Sequence, residues 1–160
     1  MNKYHVSVAA EAYAAATFAR AGYEISVQYG ANQPGYDLVA VKGKRMLKVS
    51  VKGSQDGGWA LLASYKRGRS WSQAIDAWQA KQPEDVVMFF VQFQGLSEGQ
   101  MPRMHVARPR EVAGFLKKGR GGHGATCLHE TRSYKKGVAE GDTDYIPSNW
   151  ACSLARLNKV

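Results

Sequence analysis

The chain is 160 residues long with a formal net charge of +9, and 44% of its residues are hydrophobic. That is about one domain's length with enough apolar material for a real core, and the positive excess favours a polyanionic partner such as nucleic acid. Charge alone does not choose between DNA, RNA and an acidic membrane. There is no apolar run of membrane-spanning length, and residues 1–20 contain Glu11 and no continuous signal-like hydrophobic stretch. Two cysteines, Cys127 and Cys152, are too few for a disulfide framework and fit a reducing cytoplasm.

Residues 7–21 are rich in alanine and predict a helix capped by Ser7 and stopped by Gly22. Glu11 shares a stripe with Ala14, Ala15 and Phe18, because positions three, four and seven apart stack on one helix face. Its carboxylate is therefore expected to point with apolar neighbours toward the body of the protein. Glu24 to Gly30 alternates apolar and polar residues as a strand does, and a loop with Asn32-Gln33-Pro34 turn residues follows to Gly35. Two β-rich runs, 35–41 and 46–55, flank the polar link Lys42-Gly43-Lys44-Arg45 and predict an antiparallel hairpin. With Gly43-Lys44 as a two-residue loop, Lys42 pairs with Arg45 and Asp37 comes opposite Ser50. Directly opposed residues share a face, and Lys52, two residues beyond Ser50, belongs to it as well.

Gly53 to Gly58 reads as a flexible link and Trp59 to Ser64 as a further strand. The segment Tyr65-Lys66-Arg67-Gly68-Arg69-Ser70-Trp71 interleaves cations with aromatics, which suits phosphate contacts and base stacking as well as it suits a solvated loop. Ser70 predicts a cap for a helix over 71–81 with Trp71, Ile75 and Trp78 on one core-facing stripe. The almost unbroken apolar run from Val86 to Val91 predicts a central strand covered on both faces. A strand over 103–107 and a helix over 109–118 follow. Lys117, Lys118 and Arg120 add to the basic surface with Lys66, Arg67 and Arg69, and the glycines of 119–124 predict a mobile loop able to wrap a phosphate backbone. That loop lacks the lysine and hydroxyl of a phosphate-binding P-loop. His123, Cys127, His129 and Cys152 have no familiar zinc spacing. The tail through Asp142, Asp144 and Trp150 holds an aromatic anchor expected to close over the sheet. Helices and strands in this order predict an α/β fold bordering on α+β, one mixed central sheet flanked by helices.

Asp37, a hairpin, and then Ser50-Val51-Lys52 resemble the Asp…(Asp/Glu)-x-Lys signature of the PD-(D/E)XK nuclease superfamily, with Ser50 in the second acidic position. The helix Ala10-Glu11-Ala12-Tyr13 and its exit at Arg20-Ala21-Gly22-Tyr23 look like that family's first helix, whose glutamate projects toward the metal site. Gln55 follows the lysine as in some members. The resemblance covers mainly residues 7–65 and implies a single restriction-endonuclease-like domain, with its core at about 7–118 and an irregular extension at 119–160. It implies Glu11, Asp37 and the Val51 carbonyl as ligands for Mg²⁺ or Mn²⁺, with Lys52 orienting or activating water. Ser50 and Gln55 complete the implied catalytic set. Many proteins of this kind cut two strands with two subunits, so a homodimer is compatible. Two readings stand at this point, a metal-dependent nuclease acting on DNA and a nuclease-like nucleic-acid-binding protein without catalysis. A protein-interaction role for the basic surface is a third, weaker one.

Overall fold

The longest strand, Arg45–Ser54 (β3), is the middle of a five-stranded sheet in which every neighbour can be traced to the local sequence. The computed structural model describes residues 1–28 and 35–160; most of the expected loop between Gly30 and Gly35 lies outside them. Leu38–Lys42 (β2) pairs with β3 antiparallel, Lys42 opposite Arg45 and Leu38 opposite Val49, as the two-residue loop requires. Glu24–Val27 (β1) extends that meander at one edge. On the other side Val86–Gln92 (β5) joins β3 in parallel and Arg103–Ala107 (β6) closes the sheet antiparallel, giving the order β1-β2-β3-β5-β6. β5 is buried along its whole length. An unalternating apolar strand is what a parallel pair covered on both faces needs.

Helices cover both faces. On one lies Lys3–Arg20 (α1), whose Val6, Ala10, Ala14 and Phe18 are buried at steps of four. Phe18 meets Phe89 of β5 at 5.7 Å between ring centroids. On the other lie Trp71–Gln79 (α2) and Pro109–Lys118 (α3), which pack Ile75, Trp78, Val112 and Leu116 against Met88 and Phe90. The result is a mixed α+β fold of three layers. No helix among the described residues is long and apolar enough to cross a membrane.

Several boundaries differ from expectation. α1 starts one turn early because Asn2, not Ser7, caps it, its Oδ1 accepting from the His5 N–H at 2.9 Å. The strand expected over 59–64 is confined to Gly58–Ala60 (β4), since Ala63–Tyr65 coils into a 3₁₀ turn. The supposed flexible link before it is a built turn, in which Asp56 Oδ1 accepts from Ser54 Oγ at 2.9 Å and from the Gly58 N–H at 3.4 Å. Residues 119–160 are not an irregular extension. Cys127–His129 (β7) pairs with β4, Thr131–Ser133 (β8) pairs with Thr143–Tyr145 (β9), and Leu154–Lys159 (α4) sends Leu157 into the core beside α1. Trp150 is buried against Phe115, the anchor the tail was expected to carry.

The contact that sets α1 on the sheet is at Gly53. A Cβ there would come within 2.8 Å of the Val6 carbonyl oxygen and Cγ1 and within 2.9 Å of the Ala10 Cβ. Glycine in a strand is used where another backbone must come close. Gly53→Ala should therefore lower unfolding stability by about 1–3 kcal/mol, the usual range for overpacking a tight site, read by urea denaturation. A midpoint equal to that of the wild type would mean that α1 does not rest on this residue.

Candidate active site

α1 and the end of the β2–β3 hairpin bound a cleft of about 550 Å³ lined by Glu11, Asp37, Val51, Lys52, Gln55 and Asp56, among others. It opens where it does because the strands are of unequal length: β2 begins at Leu38, while β3 runs on through Val51–Ser54 past Asp37. The floor of this open end is supplied by β3, one wall by α1, and another by the turn into β4, with Trp59.

Asp37 is held by backbone on both sides. Its N–H donates to the Val49 carbonyl at 2.8 Å, and its carboxylate Oδ2 accepts from the Val51 N–H at 2.6 Å. A charge-assisted bond of that length fixes the carboxylate's direction and takes one of its two oxygens. The N–H and C=O of a strand residue face the same side, so the Val51 carbonyl points to the edge of β3 that Asp37 occupies. Glu11 is half-buried on α1, one residue beyond the Ala10 that touches Gly53. Burial raises its carboxyl pKa above the ordinary glutamate value, the neighbouring Asp37 carboxylate raises it further, and the Lys52 ammonium works against both. Two acids and one lysine therefore face the same space. Lys48, on the face of β3 that carries Lys52, is engaged elsewhere, in an ion pair with Asp85 at 3.0 Å.

Ser50 is not part of this group. It is 4% exposed, lies beside Met88 of β5 in the parallel register, and does not line the cleft. The expectation that it would share a working face with Asp37 and Lys52 fails at Ser50 itself: it shares β3's face with Lys52 by alternation but is buried, whereas Lys52, two residues farther along, reaches the cleft. Gln55 lines the cleft, but its Nε2 donates to the Met1 carbonyl at 2.7 Å and so ties down the start of the chain. Asp56 and Lys3 also line the cleft and were not singled out from the sequence. The Asp-Gly-Gly turn was the available signal for Asp56, whose carboxyl is held below the usual range first by the Ser54 hydroxyl.

The residues present suit a hard divalent cation. Glu11 and Asp37 supply two carboxylates whose mutual repulsion a cation would relieve, and Val51 supplies a carbonyl. No three His, Cys, Asp or Glu side chains gather around one point among the described residues. Cys127 and Cys152 are free thiols, and burial pushes the Cys152 thiol up to about 11, away from the reactive thiolate form.

The six basic residues expected to meet nucleic acid fall outside the cleft. Arg67, Arg69, Lys117 and Lys118 are exposed, Lys117 in an ion pair with Asp76 at 2.5 Å. Lys66 and Arg120 sit over the ring of Trp71 at 4.9 and 4.7 Å from its centroid. Trp71 is thus half-exposed under two cations rather than a core residue, although Ile75 and Trp78 of the same stripe are buried. A larger open groove of about 1020 Å³ lies between the end of α2, the start of α3 and α4. Within it Glu111 accepts from Arg156 Nη2 at 2.6 Å and from the Arg108 backbone N–H at 2.7 Å.

A carboxyl whose folded pKa lies above its unfolded one binds its proton more tightly in the folded state. The stability tied to Glu11 is therefore full below the ordinary glutamate range and is lost as pH rises through the raised value. Glu11→Gln should accordingly raise the melting temperature of the metal-free protein at neutral pH and leave it near that of the wild type in acid, measured by thermal melts across pH. A lower neutral-pH melting temperature in the variant would contradict the strained-acid description. No family model, curated protein or solved structure matches this chain.

Proposed function

We propose that this chain is a metal-dependent nuclease of the PD-(D/E)XK type that hydrolyses phosphodiester bonds in DNA. The observation that supports it most is the shared cleft of Glu11, Asp37, Val51 and Lys52, the residues that the family resemblance names. Glu11, Asp37 and the Val51 carbonyl would hold Mg²⁺ or Mn²⁺, since Mg²⁺ is commonly bound through one or two carboxylates plus substrate phosphate. When bound, such an ion polarises a phosphoryl oxygen as a Lewis acid.

The protein's own groups do the rest. Val51, through its N–H, keeps the Asp37 carboxylate aimed while substrate exchanges. Lys52 sets a positive charge at the cleft, where it attracts the scissile phosphate, stabilises the negative charge that develops on it, and orients the attacking water. Glu11, with its raised pKa, is the group whose charge state is most sensitive to what binds beside it. A homodimer would bring two clefts to two strands, and the two thiols fit the reducing cytoplasm.

One observation favours a second reading. Ser50, where the resemblance asks for another acid, is buried away from the cleft and offers a metal nothing. On that reading the frame binds nucleic acid without cutting it. The two are separated by Mn²⁺ titration in a calorimeter, alone and with an uncleavable duplex. Binding that disappears in Asp37→Ala is expected; none under either condition leaves the non-catalytic reading. In Mg²⁺, Asp37→Ala and Lys52→Ala should each reduce DNA cleavage by about 10²-fold or more, the scale of losing one aimed electrostatic group, with duplex binding retained. Undiminished cleavage in both variants would sink the assignment.

A further inference from the structure

The segments 65–71 and 117–124 are far apart in the chain, and the fold brings them together over one indole. Lys66 Nζ and the Arg120 guanidinium both lie over the Trp71 ring. Each is within 5 Å of its centroid, so the two charges are within about 10 Å of each other, one Debye length at 0.1 M salt, and their fields add. Like charges this close repel, and an anion bound alongside both offsets that repulsion.

Both sides are built to hold that arrangement. Lys66 Nζ donates to the Arg69 carbonyl at 2.6 Å, Arg69 Nη1 donates to the Tyr65 carbonyl at 3.1 Å, and Ser70 with Gln73 closes a capping box at the start of α2. Opposite, Arg120 has φ 55°, the one non-glycine residue at positive φ among those described. For an arginine this conformation costs of order 1 kcal/mol or more. It is held there by Asp144, whose Oδ2 accepts from the Arg120 N–H at 3.1 Å and from Tyr134 Oη at 2.7 Å. The expected mobile loop is in fact closed by Gly122 N–H to Lys118 O and Gly124 N–H to Gly119 O, both at 2.9 Å. It is seated so tightly that a Cβ on Gly124 would come 2.9 Å from the Trp71 Cβ. Asp76 is paired with Lys117, Asp144 is spent on the Arg120 backbone, and the Asp142 carboxylate lies against Gly121 of the loop. Against it stand Lys66, Arg67, Arg69, Lys118 and Arg120.

We propose that this Trp71-centred shoulder, with Lys66 and Arg120 at its middle and Arg67, Arg69 and Lys118 around them, is a binding surface for the phosphodiester backbone of DNA, separate from the cleft. The proposal rests on the nuclease reading only for the identity of the polyanion. Trp71 holds both cations against its ring, and phosphates, rather than stacked bases, are what such cations receive. Contacts of this kind give affinity and register without sequence preference.

The test is fluorescence anisotropy with a short blunt DNA duplex in EDTA over a range of salt, comparing wild type with the Lys66→Gln/Arg120→Gln double variant. Loss of two phosphate contacts should weaken binding about tenfold or more at low salt and make the log–log salt slope shallower by about 2. The pair Arg67→Gln/Lys118→Gln, at exposed positions, should move affinity and slope in the same direction and guards against a folding defect in the first variant. Affinity and slope equal to wild type in both variants would overturn the proposal, as would wild type that binds anionic lipid vesicles but no duplex. Because EDTA removes cleavage from the readout, a protein that binds through this shoulder yet never cuts in Mg²⁺ refutes the nuclease and leaves the shoulder standing. Cleavage that persists with the binding defect absent does the reverse.

Discussion

The approach of α1 to β3 at Gly53 governs the geometry of the cleft. Closely packed layers leave no slack, and at this point the absent side chain lets the Val6 and Ala10 turn of the helix come to the surface of the strand. Glu11 follows directly on that turn, and Lys52 directly precedes Gly53. One side chain from the helix and one from the strand are thus fixed on either side of a single contact. Had the strand carried alanine there, the helix would have had to lift, and the carboxylate would rise with it. Phe18, packed on Phe89 and Tyr23 farther along, keeps the other end of α1 down so that the contact at Gly53 is maintained.

What the contact creates is an electrostatic imbalance. Glu11 loses hydration and meets Asp37, while Asp37 is locked in place by the Val51 amide and has no means of turning away. A folded protein tolerates such an arrangement at a functional site because the core supplies the stability elsewhere. Here the supply is the fully buried β5 and the two apolar layers it separates. The same trade recurs at Arg120, where a backbone conformation that arginine avoids is maintained by Asp144 and the hairpin that carries it.

Much of this was legible in the chain. A two-residue loop fixes a hairpin's register, so Lys42 opposite Arg45 could be counted out to Leu38 opposite Val49, next to Asp37, and helical spacing alone put Glu11 beside the buried Ala14 and Phe18. What was misread depended on partners distant in sequence. Ser50 shares a face with Lys52 by alternation, yet its surroundings are set by Met88, and no count along the hairpin contains β5. Residues 119–160 looked irregular because their strands are three residues each and pair with β4 or with one another, too short for a period-2 signal. Trp71 fitted a core stripe as well as Ile75 and Trp78 do, but it stands at the helix's first turn, where the sheet no longer covers it. Ser7 fitted a cap as well as Asn2, and the extra turn that Asn2 gained for α1 includes Lys3 at the cleft.

The hairpin and the parallel pairing of β3 with β5 also differ in when the chain can form them. A strand pair closed by two residues pays almost no loop entropy and forms in about 1–10 μs, whereas β3 meets β5 only after the whole crossover through β4 and α2 has been gathered. The strand pair that ends beside Asp37 and runs on to Lys52 therefore needs far less chain to be gathered than the β3–β5 pairing does.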